Sequence, residues 1–294
     1  MATQLRCKVT RTFDGRAMLN LGCGRRNHPE WTNVDLHVKG PGVIRADLRR
    51  GIPFDEGAFH VVYHSHLLEH LDREQAAFLL KECHRVLKPA GVIRVVVPDL
   101  EGIARAYLAC LEGAVRGDDG MAQRYEWMVL ELLDQMLRRR SGGAMTAYLA
   151  AASRADGLDF VVQRMGRAFV EEHRPLSVRA GGQKLDSNGR KPSVAAAVDG
   201  HAARGVIGTL RQLCARWAFR ASGELHRWMY DRYSIQRALS AAGFEQAQVH
   251  SASESRIPAW HTCGLDVEED GSVYKPDSLY AEGTKGSGRR LEPS

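Results

Sequence analysis

The stretch MLNLGCGRRNHPEWTNVDLH, Met18 to His37, holds residue types suited to binding a nucleoside. An apolar run closes on Gly22-Cys23-Gly24, and a second short run closes on an acid, Asp35. Glycine lets a backbone approach a ligand closely, because no Cβ stands in the way. An acid at the end of a second strand is placed to accept two hydrogen bonds from ribose hydroxyls. Two features separate the pattern from a dinucleotide site. Arg25, Arg26 and Asn27 replace the glycine pattern that seats a pyrophosphate, and Asp35 follows Gly22 by 13 residues against roughly 20 in that fingerprint.

A ligand with a ribose and no phosphate needs the turn and the acid but no anion cradle, and S-adenosylmethionine is such a ligand. A second set of reactive residues lies in SHLLEHL, where Ser65, His66 and His70 follow an apolar run. Histidine suits general-base work near neutral pH. His66 is the first candidate base. His226 and His173, later in the chain, are alternatives, and a structural role suits His70. HLLEH also matches the H-x-x-E-H pattern of one metallopeptidase class. If it were helical, His66 and His70 would share a face and could bind zinc, with Glu69 as base. A zinc hydrolase is therefore a competing reading, and a cofactor-binding module without catalysis is another.

The elements that must position these residues are readable from periodicity. AMLNL, TNVDL, GVIRADL and FHVVYHS read as short strands, and VIRVVVPDL, rich in β-branched residues, reads as a fully buried one. DREQAAFLLKECHRVL reads as an amphipathic helix with Asp72 as N-cap, stopped by KPAG, and His84 on it reads as solvent-facing. Strands alternating with a helix argue for a parallel α/β sheet. From Gly102 to about Tyr230 strand patterns vanish. GIARAYLACLEGA, AQRYEWMVLELLDQMLRRR, AMTAYLAAASRADGLDFVVQRMGRAFV and ARGVIGTLRQLCARWAFRAS read as helical. The polar stretch between the last two, Glu171 to Gly200, reads as a long mobile loop. Trp127, Tyr148, Trp217 and Trp228 read as helix-packing aromatics. The sheet pattern then returns: YSIQRALSAAGF is a helix ended by Gly243, and EQAQVHSA and SLYAEGTK are strands. The organisation expected is 1–101 and 231–285 forming a core, 102–230 a helical insertion acting as lid or acceptor wall, and 286–294 a disordered tail. The insertion enters after the fifth strand, at the edge where open α/β sheets bind ligands.

Composition bounds the rest. The chain has 294 residues, 44% hydrophobic and 26% charged, with a net charge of +6. That is an ordinary globular balance, and no run approaches the roughly 20 apolar residues of a membrane span. No secretory h-region is visible at the N-terminus, so a cytoplasmic location is expected. The six cysteines are scattered without a C-x-x-C pair, which indicates neither a zinc knuckle nor a disulfide framework. The positive excess is spread thinly, and the run Arg138–Arg140 suits a helix C-terminus as well as a phosphate patch. Nucleic acid is not an expected partner.

LNLGCG, NVDLH, ADLRRGIPFDEGAFHVVYHSHLLEHL, LKECHRVLKPAGVIRVVVPD and YKPDSLYAEGTK together resemble the class I S-adenosylmethionine-dependent methyltransferases, in the type-11 methyltransferase-domain group. The resemblance spans roughly Met18 to Leu100 and Asp231 to Lys285. It implies a Rossmann-like α/β core with a mostly parallel seven-stranded sheet whose last strand is antiparallel. Gly22, Cys23 and Gly24 would line the methionine moiety and ribose. Asp35 would hold the ribose hydroxyls, with Leu36 on the adenine. Asp47 would take the adenine amino group, with Leu48 flanking the ring. His64, Ser65 and His66 would form the floor beside the methyl group. Asn20 departs from the family, which usually has Asp or Glu there to meet the methionine amino group. Only Arg25 to Thr32 separate the turn from the second strand, too few for a full crossover helix. Neither the [DNS]-P-P-[YFW] signature of many base N-methyltransferases nor a paired-Glu hairpin is present. The expectation is therefore methylation of a hydroxyl on a small molecule or glycan, with a small amine as the alternative acceptor.

Overall fold

Seven strands pair into one sheet: β1 (Met18–Leu21), β2 (Thr32–Asp35), β3 (Val43–Arg45), β4 (Phe59–Ser65), β5 (Leu87–Pro98), β6 (Glu245–His250) and β7 (Ser278–Thr284). Their spatial order is β3-β2-β1-β4-β5-β7-β6. The first five run parallel, and β7 lies antiparallel between β5 and β6. This is the expected sheet, with the last strand reversed. The structure is a computed structural model that describes residues 9–12, 14–38, 40–152, 157–174, 219–220 and 223–287. Among them no helix is long and apolar enough to cross a membrane.

Two compact units divide the chain. One comprises the described residues of Met1–Asp99, Trp228–Val273 and Ser278–Ser294, the other those of Leu100–Arg227 and Tyr274–Asp277. In the sheet unit, helix α1 (Arg73–Val86) starts with a full capping box: Asp72 accepts from the Gln75 backbone N–H and Gln75 bonds back. Its apolar stripe of Ala76, Leu79, Leu80, Cys83 and Val86 is buried. That stripe and α7 (Arg232–Ala241) pack on one sheet face, against Leu19, Leu21, Val62, Val95 and Ala281 among others. The other face is covered differently, with one short 3-10 turn at Trp260–Cys263. There the segment 252–267 lays Ile257, Trp260 and Leu265 against Met18, Trp31, Tyr63 and Tyr280. At its centre Arg94 is fully buried, ion-paired to Asp266 and Glu282, and donating to the carbonyls of Ser251, Ala252 and Glu254.

The helical unit holds α2 (Leu100–Val115), α3 (Asp119–Leu137), α4 (Gly143–Ala151), α5 (Asp159–Met165) and α6 (Arg167–His173). Trp127 is buried there, donates from its indole to Glu131 and packs near Tyr148. The stretch AMTAYLAAASRADGLDFVVQRMGRAFV, expected as helical, is broken. Gly166 at φ +85° divides α5 from α6, and a Cβ there would lie 2.5 Å from the Tyr274 carbonyl oxygen. Tyr274–Asp277 groups with this unit, although its sequence lies between core segments.

Other expectations are corrected. α1 does end just before KPAG, at Val86, but β5 begins at once at Leu87, and Ala90, at φ +61°, donates to the Lys285 carbonyl. His84 is not solvent-facing; its half-buried ring packs on Phe244. Trp228 is not a helix-packing residue but 39% exposed, with the Arg73 guanidinium 4.9 Å from its ring. The expected loop beyond Arg174, most of the helix ARGVIGTLRQLCARWAFRAS, Trp217 and the tail beyond Ser287 lie outside the described residues.

Candidate functional site

β1 ends where Gly22 and Gly24 take φ +63° and +54°, conformations in which a Cβ is strained. The backbone N–H groups of Gly22 and Cys23 both donate to the Val34 carbonyl, at 2.8 and 3.3 Å, clasping the turn to β2. A Cβ on Gly22 would press on Leu67 at 3.1 Å, whereas one on Gly24 would project into space with no atom within 4 Å. Asp35 closes the same corner. Its Oδ2 accepts from the Gly24 N–H at 2.9 Å and its Oδ1 from the His37 N–H at 2.7 Å. A carboxylate has about four acceptor positions, so both oxygens keep capacity for a ribose diol. An open space above a glycine, beside a half-used carboxylate and without a phosphate cradle, fits S-adenosylmethionine.

No helix joins β1 to β2, as the short spacing requires. Side chains hold the connection instead. Asn20, 1% exposed, donates to the Arg26 carbonyl and to Asn33 Oδ1, while the Asn33 amide donates to the carbonyls of His28 and Trp31. Both Asn20 amide hydrogens thus serve the turn. Arg26 ties the same turn to the 265–268 segment, through the Leu265 and Val267 carbonyls and the Glu268 carboxylate. The sequence reading missed this brace, because its partners lie some 240 residues away.

Asp47 lies just past β3. It caps a short 3-10 turn and is gripped by Arg49 Nε and Nη2 at 2.8 and 2.9 Å; that hydrogen bonding holds its carboxyl below the usual range. Leu48 beside it is buried and Leu36 half-buried. These residues, the Gly turn and Ser65 all lie along the C-terminal edge of the parallel strands.

The end of β4 is the most constrained part. His64 is fully buried, opposite Leu21 and Val95, and among the described residues neither ring nitrogen finds a hydrogen-bond partner. Burial pushes its imidazole down to about 4. His66 follows at φ +51°, a left-handed conformation rare for a residue with a Cβ. Its N–H donates to the Val96 carbonyl. Its Nε2 lies 2.8 Å from Ser278 Oγ and its Nδ1 3.2 Å from Glu69 Oε1. Ser278 opens β7 opposite Pro98; β7 is antiparallel, so its first residue reaches the edge where β4 and β5 end. Glu69 is fully buried. Nearby Tyr230 is pushed up to about 12 by burial first and by the Glu69 charge second.

HLLEH is not a continuous helix. Leu67 keeps a non-helical ψ-φ pair before a three-residue 3-10 turn, Leu68–His70. The pairing of His66 and His70 on one helix face, which the zinc reading assumed, is therefore not formed. His70 is half-buried in that turn. His226 and His173 belong to the helical unit. The His226 backbone donates to the Gln135 carbonyl, and the His173 ring stacks on Phe169.

Residues 19–95, about a quarter of the chain, match the family described as a methyltransferase domain. No curated protein matches the chain. Among solved structures, a chain in the complex between the Haloferax volcanii Trm112 methyltransferase activator and a putative methyltransferase is 11% identical over 96% of this chain and 87% of that one, with TM-score 0.35. A SAM-dependent methyltransferase from Archaeoglobus fulgidus is 13% identical over 92% and 86%, with TM-score 0.34. An S-adenosylmethionine-dependent methyltransferase from Mesorhizobium loti is 24% identical over 31% of this chain and 50% of that one, with TM-score 0.25. The match to this last protein therefore spans half of its length. At these TM-scores the neighbours say nothing of substrate. The domain match and a β3-β2-β1-β4-β5-β7-β6 sheet whose β7 alone is reversed give residues 19–95 as a methyltransferase domain within a Rossmann-like sheet, with S-adenosylmethionine as cofactor.

Proposed function

We propose that this methyltransferase acts on a hydroxyl of a small molecule or glycan, with His66 as the general base. One observation carries the reading: an imidazole stands at the C-terminal edge of β4, next to the Gly turn, with Nε2 hydrogen-bonded to Ser278 Oγ and Nδ1 3.2 Å from the Glu69 carboxylate. S-adenosylmethionine supplies the activated methyl group when bound. The chain's own residues bind, align and remove a proton. In this reading Gly22, Cys23 and Gly24 line the methionine moiety and ribose. Asp35 holds the ribose hydroxyls, Leu36 and Leu48 flank the adenine, and Asp47 meets its amino group. His64 and Ser65 form the floor, and Asn20 acts through the turn it braces. Alignment of the acceptor oxygen with the methyl carbon is the larger effect. A positioned base adds typically 10²- to 10⁴-fold for a hydroxyl, whose proton is lost as the bond forms.

Incubation with isotopically labelled S-adenosylmethionine and a panel of hydroxylated small molecules and glycans, followed by mass spectrometry, tests the acceptor class. A product labelled on oxygen supports it, and one labelled only on nitrogen overturns it. With the acceptor in hand, His66→Ala should lower turnover by about 10²- to 10⁴-fold while S-adenosylhomocysteine affinity stays within a few-fold. Full turnover in that variant would place the base elsewhere.

A further inference from the structure

We propose that Glu69, His66 and Ser278 form a proton relay in which Glu69 positions the His66 ring and the Ser278 hydroxyl stands between His66 and the methyl acceptor. It rests on the hydroxyl-acceptor reading above and goes beyond it by naming Ser278, which no sequence motif indicates, and by giving Glu69 a positioning role.

The geometry has three parts. Glu69 Oε1 is 3.2 Å from His66 Nδ1, and the Glu69 side chain is wholly buried. A buried carboxylate beside Nδ1 favours the tautomer with the proton there. Nε2 is then the acceptor nitrogen, and Ser278 Oγ at 2.8 Å is its donor. His66 takes the left-handed backbone at φ +51°. Such strain persists where the surroundings over-determine it, and here the backbone bond to Val96 and the two ring contacts do so.

Because Ser278 already occupies Nε2, an acceptor hydroxyl reaches the base through the serine or by displacing it. In the relay, the acceptor oxygen forms its bond to the methyl carbon as the carbon–sulfur bond breaks and that electron pair stays on sulfur. The acceptor proton passes to Ser278 Oγ, and the Ser278 proton passes to His66 Nε2. Glu69 faces the imidazolium that results, so the positive charge is formed next to a negative one. The His66 side chain is 17% exposed, which gives the proton a way out to solvent. Other titratable or charged groups on the surrounding elements are His70 in the same turn, Arg73 at the start of α1, Asp99 after β5 and Tyr230. Tyr230 feels Glu69 and Arg73 in opposite directions.

The relay can be read without an acceptor. Histidine-selective ¹⁵N NMR, on the free protein and with S-adenosylhomocysteine added, follows the His66 ring, assigned by its loss in His66→Gln. The expected result is an Nδ1-protonated neutral ring whose pKa falls by about 1 unit or more in Glu69→Gln, the scale for removing an adjacent opposite charge. In Ser278→Ala the Nε2 resonance should move while the tautomer is kept. An Nε2-protonated ring in the wild type, or a His66 pKa unchanged in Glu69→Gln, overturns the relay. Kinetics then separates it from the reading it rests on. If His66→Ala abolishes methyl transfer but Ser278→Ala keeps wild-type turnover and pH profile, the base stands and the relay fails. If His66→Ala leaves turnover intact, the base reading itself fails.

Discussion

Asp35 keeps both carboxylate oxygens only half-used, each with one backbone N–H, and that spare capacity decides what its loss should do. Asp35→Ala should weaken S-adenosylhomocysteine binding by about 1.5 to 3 kcal/mol, the scale for hydrogen bonds to a charged group, or roughly 10- to 150-fold. Calorimetry checks it, and unchanged affinity would remove Asp35 from the site. His64 makes the opposite kind of prediction. Its imidazole titrates near 4 in the folded chain against an ordinary 6.5. As pH falls below 6.5 the unfolded chain takes up a proton that the folded one refuses. Stability is therefore fully present above 6.5 and lost down to about 4, by on the order of 3 kcal/mol. His64→Leu removes that dependence, and two orphaned nitrogens with it. Urea unfolding should show the variant gaining on the wild type at pH 5 relative to pH 7.5; an equal difference at both would sink the idea. At this scale the tight glycine turn after β1 and the acid closing β2 were legible as local geometry, from residue types and spacing. Ser278 was not: its partner His66 is 212 residues away, and a serine at a strand start has no signature.

Elements were legible where one local force decides them. β-branched runs marked β4 and β5, and the acid before an amphipathic period marked α1. The capping box there makes a measurable claim. Asp72→Ala loses the acceptor for the Gln75 N–H and the reciprocal Gln75 bond, and should cost about 1 kcal/mol. Asp72→Asn keeps an acceptor and should cost only a few tenths of that. Thermal melting at neutral pH would rank the two, and equal melting temperatures for Asp72→Ala and wild type would mean the cap adds nothing. Elements were not legible where a distant backbone decides them. Ala90 is drawn into the left-handed region where KPAG joins β5 and Lys285 crosses it. The break at Gly166 comes from Tyr274, over a hundred residues on, whose carbonyl lies where a side chain would sit.

At the scale of the sheet unit, the two faces are covered by different means, and only one was visible in sequence. Periodic helices announce themselves, so the face under α1 and α7 was expected. The opposite face depends on Arg94, which no local pattern in its buried strand announces. It is tied to Asp266 and Glu282, which are 172 and 188 residues away, and lies over Trp260 and Tyr280. Burial raises the Asp266 carboxyl despite the guanidinium beside it. An arrangement of this kind is costly to break from one side, because removing the cation leaves two buried carboxylates. Arg94→Met should therefore destabilise the protein by about 3 to 5 kcal/mol at neutral pH. The sign of the pH dependence distinguishes this cause from simple loss of packing. In the variant the buried carboxylates bind protons more tightly when folded than when unfolded, so its stability should rise as pH falls from 7 toward 5. The gap to wild type should narrow over that range in urea titrations. Arg94→Lys, which keeps a charge but not the five donors, should fall between the two at pH 7 and depend less on pH than Arg94→Met. A gap that stays constant with pH would mean that the aromatic and carbonyl contacts, rather than the two carboxylates, hold this face together.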